Sequence, residues 1–170
     1  FADATSSDSL IVADDGEHVV MDQNDCLLTE EEYRYIGEKF DIDLAFLFYS
    51  GASIFPARFD ITEEEKLAAT KKRIDSQLEY SLNTGILVGA KKVVPGANDL
   101  CPFRSAEYDS YASALPIDYH NYIKSKQSPF EVLLMVPGES HDFTEPASAY
   151  TNYFPDRQSW KKAVTELRAR

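Results

Sequence analysis

Two loops at the ends of predicted strands carry the side chains best suited to chemistry. The first loop, residues 22–26, places Asp25 soon after a short apolar run, and the second places Asn98 and Asp99 after another. Open α/β sheets gather their ligands at strand-end loops, so Asp25 is a candidate carboxylate ligand for a metal ion. Asn98 or Asp99 is a candidate to reach a site at the second loop. Asp and Asn are also common turn residues, which leaves a plain turn as the alternative for both loops.

Other motifs of enzymatic or metal-binding sites are absent from the sequence. It lacks the spaced glycines of phosphate and dinucleotide loops, the Gly-x-Ser-x-Gly elbow and the His-Glu-x-x-His zinc motif. His18, His120 and His141 are too far apart in sequence to form a metal pair at helix or strand spacing. Cys26 and Cys101 belong to no Cys-x-x-Cys pair. We therefore expect packing or surface roles for these five residues, with one disulfide left open.

Composition narrows the class of protein. The chain has 170 residues, enough for one domain, and 17 basic against 29 acidic residues give a net charge of -12. Such a surface repels polyanions, which argues against a nucleic-acid partner. No apolar run approaches the ~20 residues that cross a bilayer, and no signal peptide opens the chain. These features predict a cytoplasmic protein. The start at Phe1 suggests a piece of a longer protein.

Strand and turn patterns predict a layered α/β fold. Asp15-Gly16 lies between two short apolar runs, which is the usual signal of a β-hairpin. Residues 44–49 are almost continuously apolar, as in a strand that is covered on both faces. Further strands are predicted over residues 92–95 and 130–136, and these alternate with helices.

Helix boundaries follow from capping patterns. Thr29 and Glu32 form one capping box, and Thr62 and Glu65 form another at the start of the longest helix. Gly85 is predicted to end that long helix, because glycine favours the position just after a helix. A shorter helix is predicted over residues 118–124.

The order of several short segments resembles a known family. It is similar to the C-terminal half of the metallo-β-lactamase-fold domain in CMP-N-acetylneuraminate hydroxylase and its bacterial relatives. The resemblance covers residues 1–143, and it lies in order and spacing rather than in one long match. The segments are Asp22-Gln-Asn-Asp-Cys26, Ser50-Gly-Ala-Ser-Ile-Phe-Pro56, the long helix, Val94-Pro-Gly-Ala97 and Val136-Pro-Gly138.

The resemblance implies half of an αββα sandwich, a mixed sheet with flanking helices and a metal site at one edge. Asp25 matches the aspartate that bridges two metal ions in that superfamily. Asn98 or Asp99 stands where the superfamily usually has a histidine ligand, and Ser50 and Gly51 would line the pocket. The implied cofactor is zinc or iron, possibly as two ions, and the implied activity is a hydrolase or oxygenase acting on a small molecule.

The superfamily's His-x-His-x-Asp-His signature does not occur in this sequence. The chain is therefore expected to be one domain that needs the N-terminal half of the fold, from the same or a separate chain, to complete its site. The alternative is a metal-free binding or scaffolding subunit of the same fold, whose acidic surface docks a basic partner.

Overall fold

A mixed five-stranded sheet organises the chain. The computed structural model describes residues 8–50, 55–56, 59–96, 114–135, 140–142, 145–146, 156–159 and 162. The strands lie in the order β1-β2-β3-β4-β5, with β1 antiparallel to β2 and every other neighbouring pair parallel. The α/β class with flanking helices is confirmed. The strands are β1 (Ile11–Asp14), β2 (Val19–Asp22), β3 (Leu44–Phe48), β4 (Lys92–Gly96) and β5 (Glu131–Val132).

Among the described residues, three helices lie between the successive parallel strands. They are α1 (Glu30–Lys39), α2 (Glu63–Leu87) and α3 (Pro116–Ser125). Because β–α–β crossovers are right-handed, three successive crossovers in one direction place all three helices on the same face of the sheet. Contacts between α1 and α2, and between α2 and α3, agree with this arrangement. The main core lies between this helix layer and the sheet.

The opposite face of the sheet is also apolar, and we call it the second face. Side chains alternate along each strand, so Ala45 and Leu47 point to the helices while Leu44 points away. Leu44, Val94 and Leu133 are buried together on the second face. Parallel strands are normally covered on both faces, and the composition of β3 fits that rule.

Both predicted capping boxes are present. Thr29 Oγ1 accepts a hydrogen bond from the Glu32 amide, and the Glu32 carboxylate accepts one from the Thr29 amide at 2.8 Å. Thr62 and Glu65 repeat the arrangement at the start of α2. These reciprocal bonds satisfy donors that the first turn of a helix otherwise leaves without partners.

The prediction for the end of α2 is wrong by one turn. The helix continues through Gly85 to Leu87, and Gly89, with φ of +65°, is the residue that ends it. The Gly89 amide bonds the Ile86 carbonyl and the Ala90 amide bonds the Gly85 carbonyl, which is the Schellman pattern. Gly85 instead makes room for a ring, because a Cβ there would lie 2.6 Å from Phe130 Cε1.

Asp43 ties three strands together at the amino edge of the sheet. Its carboxylate accepts hydrogen bonds from the Val19 amide at 2.9 Å and from Lys91 Nζ at 2.9 Å. Burial pushes the pKa of Asp43 upward, but the amide and the ammonium outweigh it and hold that pKa below its ordinary value. The ionised carboxylate therefore stabilises the junction before β3.

We expect Asp43→Asn to lower the free energy of unfolding by about 1 kcal/mol near neutral pH, because a charged acceptor is lost. A carboxyl group with a depressed pKa stabilises the fold above its unfolded pKa of about 3.9, and this stability is lost as pH falls through the folded pKa. Urea unfolding should show a smaller difference in the free energy of unfolding between wild type and variant at about pH 3 than at about pH 7. An equal difference at both pH values would contradict this role.

Candidate functional site

The carboxyl ends of β2, β3 and β4 meet at one edge of the sheet, because these strands are parallel neighbours. The loop that contains Asp25 follows β2, and Ser50 follows β3 by two residues. Two of the residues predicted to form the site are therefore brought to the same edge. Such an edge is where ligands of open α/β sheets bind.

Residues 22–26 form a tight turn that leaves Asp25 exposed. Asn24 has a left-handed backbone, with φ of +51°, and its amide donates to Asp22 Oδ1 at 2.9 Å. The Cys26 amide closes the turn on the Gln23 carbonyl at 3.1 Å. Asn tolerates the left-handed region better than most residues, so the sequence suits the conformation. The turn is thus observed, while a ligand role for Asp25 stays a prediction.

Gln23 anchors this turn from beneath. Its side chain is fully buried, and its Oε1 accepts a hydrogen bond from the Phe48 amide at 3.0 Å, joining the end of β2 to the end of β3. Its Nε2 lies 2.6 Å from the Tyr33 hydroxyl and 3.2 Å from the Cys26 carbonyl. One amide side chain therefore fixes the turn, the strand end and the first helix relative to one another.

Two tyrosines extend the buried network to the helices. The hydroxyls of Tyr33 and Tyr80 lie 2.6 Å apart, and Tyr33 also bonds the Cys26 carbonyl and the Leu28 amide. Burial, together with the hydrogen bond to Tyr80, raises the pKa of Tyr33 far above its ordinary value. Burial raises the pKa of Tyr80 as well. The side chains of Tyr33 and Tyr80 are therefore neutral hydroxyls that position the loop, and neither is suited to act as a base at physiological pH.

Ser50 and Tyr49 lie at the end of β3. Ser50 is 1% exposed and is a buried residue of this edge, while its role in lining a pocket stays a prediction. Tyr49 is completely buried and packs edge-on against Tyr119 with ring centroids 5.5 Å apart. Burial raises the pKa of Tyr49 well above its ordinary value; the Ser50 side chain offsets this in part, and the Asp118 carboxylate adds to it. Tyr49 is therefore a neutral hydroxyl as well.

The other predicted site residues, Gly51, Asn98 and Asp99, lie outside the described residues. Within the described part of the chain, no three His, Cys, Asp or Glu side chains are grouped as a metal ion would require. Zinc takes at least three protein ligands. The turn at this edge offers the exposed carboxylates of Asp22 and Asp25, and the described residues do not by themselves fit a metal ion.

The described histidines are not gathered at this edge, whereas Cys26 is the last residue of the turn. His120 is half-buried on α3. Its burial, and to a smaller extent the positive charge of the nearby Lys124, lowers its pKa. His141 contacts Lys92, the first residue of β4, and so lies toward the opposite edge. Cys26 is a buried free cysteine.

Gln23 was not among the predicted site residues, although the sequence carries a signal for it. Val19 and Met21 point toward the helices, and the period of two continues that face to Gln23. A glutamine at a core position needs partners for its amide, and the phenolic hydroxyls of Tyr33 and Tyr80 provide them. Only the packing of α1 and α2 reveals that these residues meet.

Comparison with known proteins adds no family assignment, because neither a family model nor a curated protein matches the chain. Among the described residues, no helix has the length and apolar character needed to cross a membrane.

Proposed function

We propose that this chain is the C-terminal half of a metallo-β-lactamase-fold enzyme that uses zinc or iron, as one or two ions, to act on a small molecule in the cytoplasm. Hydrolysis and oxidation both remain within the proposal. Asp25 is the proposed metal ligand from the first loop, and Asn98 or Asp99 the proposed ligand from the second. The N-terminal half of the fold would supply the remaining ligands.

The observation that carries this proposal is the placement of Asp25. Its carboxylate is exposed at the edge where the carboxyl ends of the parallel strands meet, on a turn whose backbone is fixed by Gln23 and Tyr33. Metal sites need ligands that are held in place by surrounding hydrogen bonds. A plain surface turn gains little from a buried anchor of this kind, whereas a ligand-bearing loop gains rigidity.

The apolar character of both faces of the sheet favours the proposed half-sandwich. Helices cover one face, and the second face carries its own apolar cluster of Leu44, Val94 and Leu133, flanked by the partly buried Val20 and Phe46. In an αββα sandwich one face of each sheet packs against helices and the other against the second sheet. An apolar second face is the composition that such packing requires.

A metal-free binding subunit is the second candidate, and a surface feature favours it. Phe55 and Phe59 are in ring contact at 4.9 Å after β3, and Phe59 is 51% exposed. Ile61 and Leu67 are exposed on the same stretch of chain. Exposed aromatic and aliphatic side chains close together are typical of protein-binding surfaces.

Substitution of Asp25 tests the leading proposal. In the complete protein, we expect Asp25→Asn to weaken metal binding by more than the roughly 10–100-fold that follows loss of a residue that merely supports a ligand. The fold should be retained, because the Asp25 carboxylate makes no hydrogen bond that holds the turn among those of the described residues. Metal content by elemental analysis and unfolding by urea measure the two effects.

Asp60→Asn is the matched control, since Asp60 is another exposed aspartate and precedes α2. Wild type and Asp60→Asn should hold the same amount of metal. Equal metal content in Asp25→Asn would remove Asp25 from the site. If none of the three proteins held metal, the binding-subunit candidate would replace the enzyme.

A further inference from the structure

Apolar side chains are exposed at the start of α2, and we call Phe59, Ile61 and Leu67 the helix patch. Leu67 is 53% exposed and Phe59 is 51% exposed. Ile74 and Leu78 continue the stripe of Leu67 along α2, and both pack into the main core. The apolar stripe of α2 therefore runs on from the core into solvent. Exposed apolar surface that is continuous in this way marks an interaction site.

The helix patch is exposed because α2 extends past the end of the sheet. The Tyr80 ring lies edge-on to Phe48, the last residue of β3, and its hydroxyl reaches Gln23, just after β2. Tyr80 is therefore level with the carboxyl ends of these strands, and the helix from Glu63 to Tyr80 is ~25 Å long. Leu67 lies in this projecting part. The proposed N-terminal half would cover the second face, whereas α2 packs on the other face, so the proposed function leaves this patch unexplained.

Hydrogen bonds hold the aromatic end of the helix patch in place. The Phe59 amide donates to the Pro56 carbonyl at 3.0 Å. Arg73 Nη1, on α2, donates to the Phe55 carbonyl at 2.6 Å. The rings of Phe55 and Phe59 pack edge-on, with their centroids 4.9 Å apart. A surface that is fixed before binding loses little conformational entropy when a partner covers it.

The charges around Leu67 make the helix patch complementary to itself. On a helix, the surface neighbours of a residue lie three and four positions away. For Leu67 these include Glu63 and Glu64 toward the N-terminus and Lys71 toward the C-terminus, all of them exposed. Two copies of α2 that cross antiparallel at Leu67 place Glu64 of each copy beside Lys71 of the other, whereas a parallel crossing brings like charges together. Among the described residues, Glu64 and Lys71 form no ion pair within the chain.

We infer that the protein forms a two-fold symmetric dimer through the helix patch, with the α2 helices of the two copies antiparallel and in contact at Leu67. A two-fold interface uses the same surface on both copies, so that surface must complement itself. An apolar centre with acidic side chains toward one end and a basic side chain toward the other meets this requirement. Phe59 and Ile61 add apolar area at the N-terminal end of each helix. The dimer is independent of the proposed metal site.

Sedimentation equilibrium of the complete protein tests the dimer, at about 0.15 M salt to screen the repulsion between two chains of net charge -12. We expect Leu67→Glu to raise the dissociation constant by about tenfold or more, because it places two carboxylates at the centre of the interface. Lys71→Glu should raise it about tenfold, because two ion pairs in each dimer become repulsive. Lys72→Glu is the matched control, since it makes the same change of charge on another side of the helix, and its dissociation constant should stay within about twofold of wild type.

Exchange of the two charges distinguishes a second copy from any other partner. Glu64→Lys combined with Lys71→Glu should restore the dissociation constant of wild type, because each changed side chain again meets its opposite charge in the other copy. Leu67→Cys should form a disulfide-linked dimer on mild oxidation, whereas Lys72→Cys should not. A wild type that stays monomeric up to about 1 mM, or a double variant no tighter than Lys71→Glu alone, would overturn the inference. These readouts involve no metal ion, so failure here is distinct from failure of the proposed function.

Discussion

We expect Gln23→Leu to lower the free energy of unfolding by about 3 kcal/mol, because the variant leaves several buried polar groups without partners. The Phe48 amide loses its acceptor, and the Tyr33 hydroxyl and the Cys26 carbonyl lose a donor. Leucine has similar volume, so the effect arises from polarity rather than from a cavity. Equilibrium unfolding in urea measures the loss, and a slope unchanged from wild type would show that both proteins unfold in the same way.

Gln77 provides a matched control for this substitution. It lies half-buried on α2, and its Oε1 accepts no hydrogen bond among the described residues. Gln77→Leu should therefore change the free energy of unfolding by less than about 1 kcal/mol, in either direction. If Gln23→Leu and Gln77→Leu had the same small effect, the buried network would not hold the loop.

Gln23→Glu tests the acceptor Oε1 of Gln23 separately from the donor Nε2. Glutamate keeps an oxygen for the Phe48 amide but replaces the amide donor to Tyr33 and Cys26. Burial raises the pKa of a carboxyl group, so this variant should become less stable as pH rises above about 4.3 and the unfolded chain ionises. Wild type has no such titration at this position.

Gly37→Ala is the second substitution with a large expected effect, a loss of about 2 kcal/mol or more. A Cβ at this position would lie 2.5 Å from the Leu87 carbonyl oxygen and 2.9 Å from the Val88 carbonyl carbon. Backbone atoms of a helix end cannot move aside as a flexible side chain can. Alanine improves helix propensity by about 1 kcal/mol, so a net loss shows that the clash dominates.

Gly96→Ala is the control for Gly37→Ala. A Cβ on Gly96 would meet its nearest neighbours at 3.6 Å, which is ordinary van der Waals contact. Its effect on the free energy of unfolding should stay within about 1 kcal/mol. A neutral or stabilising Gly37→Ala would mean that α1 and the end of α2 do not approach so closely.

Local patterns in the sequence predicted much of the fold. The hairpin, both capping boxes and the apolar central strand depend on neighbours in sequence, and all are confirmed. The end of α2 was missed because two glycines lie four residues apart, and only tertiary packing of Gly85 against Phe130 decides between them. The last strand was predicted over residues 130–136, whereas β5 covers Glu131–Val132.

The candidate site was only partly predictable. Its first loop follows from the turn residues beside a strand, and the structure places Asp25 and Ser50 at one edge of the sheet. The Gln23 network links residues up to 57 positions apart, a relation that no local pattern encodes. The contact between Lys92 and His141 joins residues 49 positions apart, so no local pattern could predict it either.

Native mass spectrometry of the protein purified from its own cells, with elemental analysis of the same sample, tests the central proposal most directly. The proposal predicts an N-terminal half of the fold, on the same polypeptide or bound as a second one, together with one or two zinc or iron ions. A folded chain that holds neither metal nor such a half would contradict it and would favour the binding subunit.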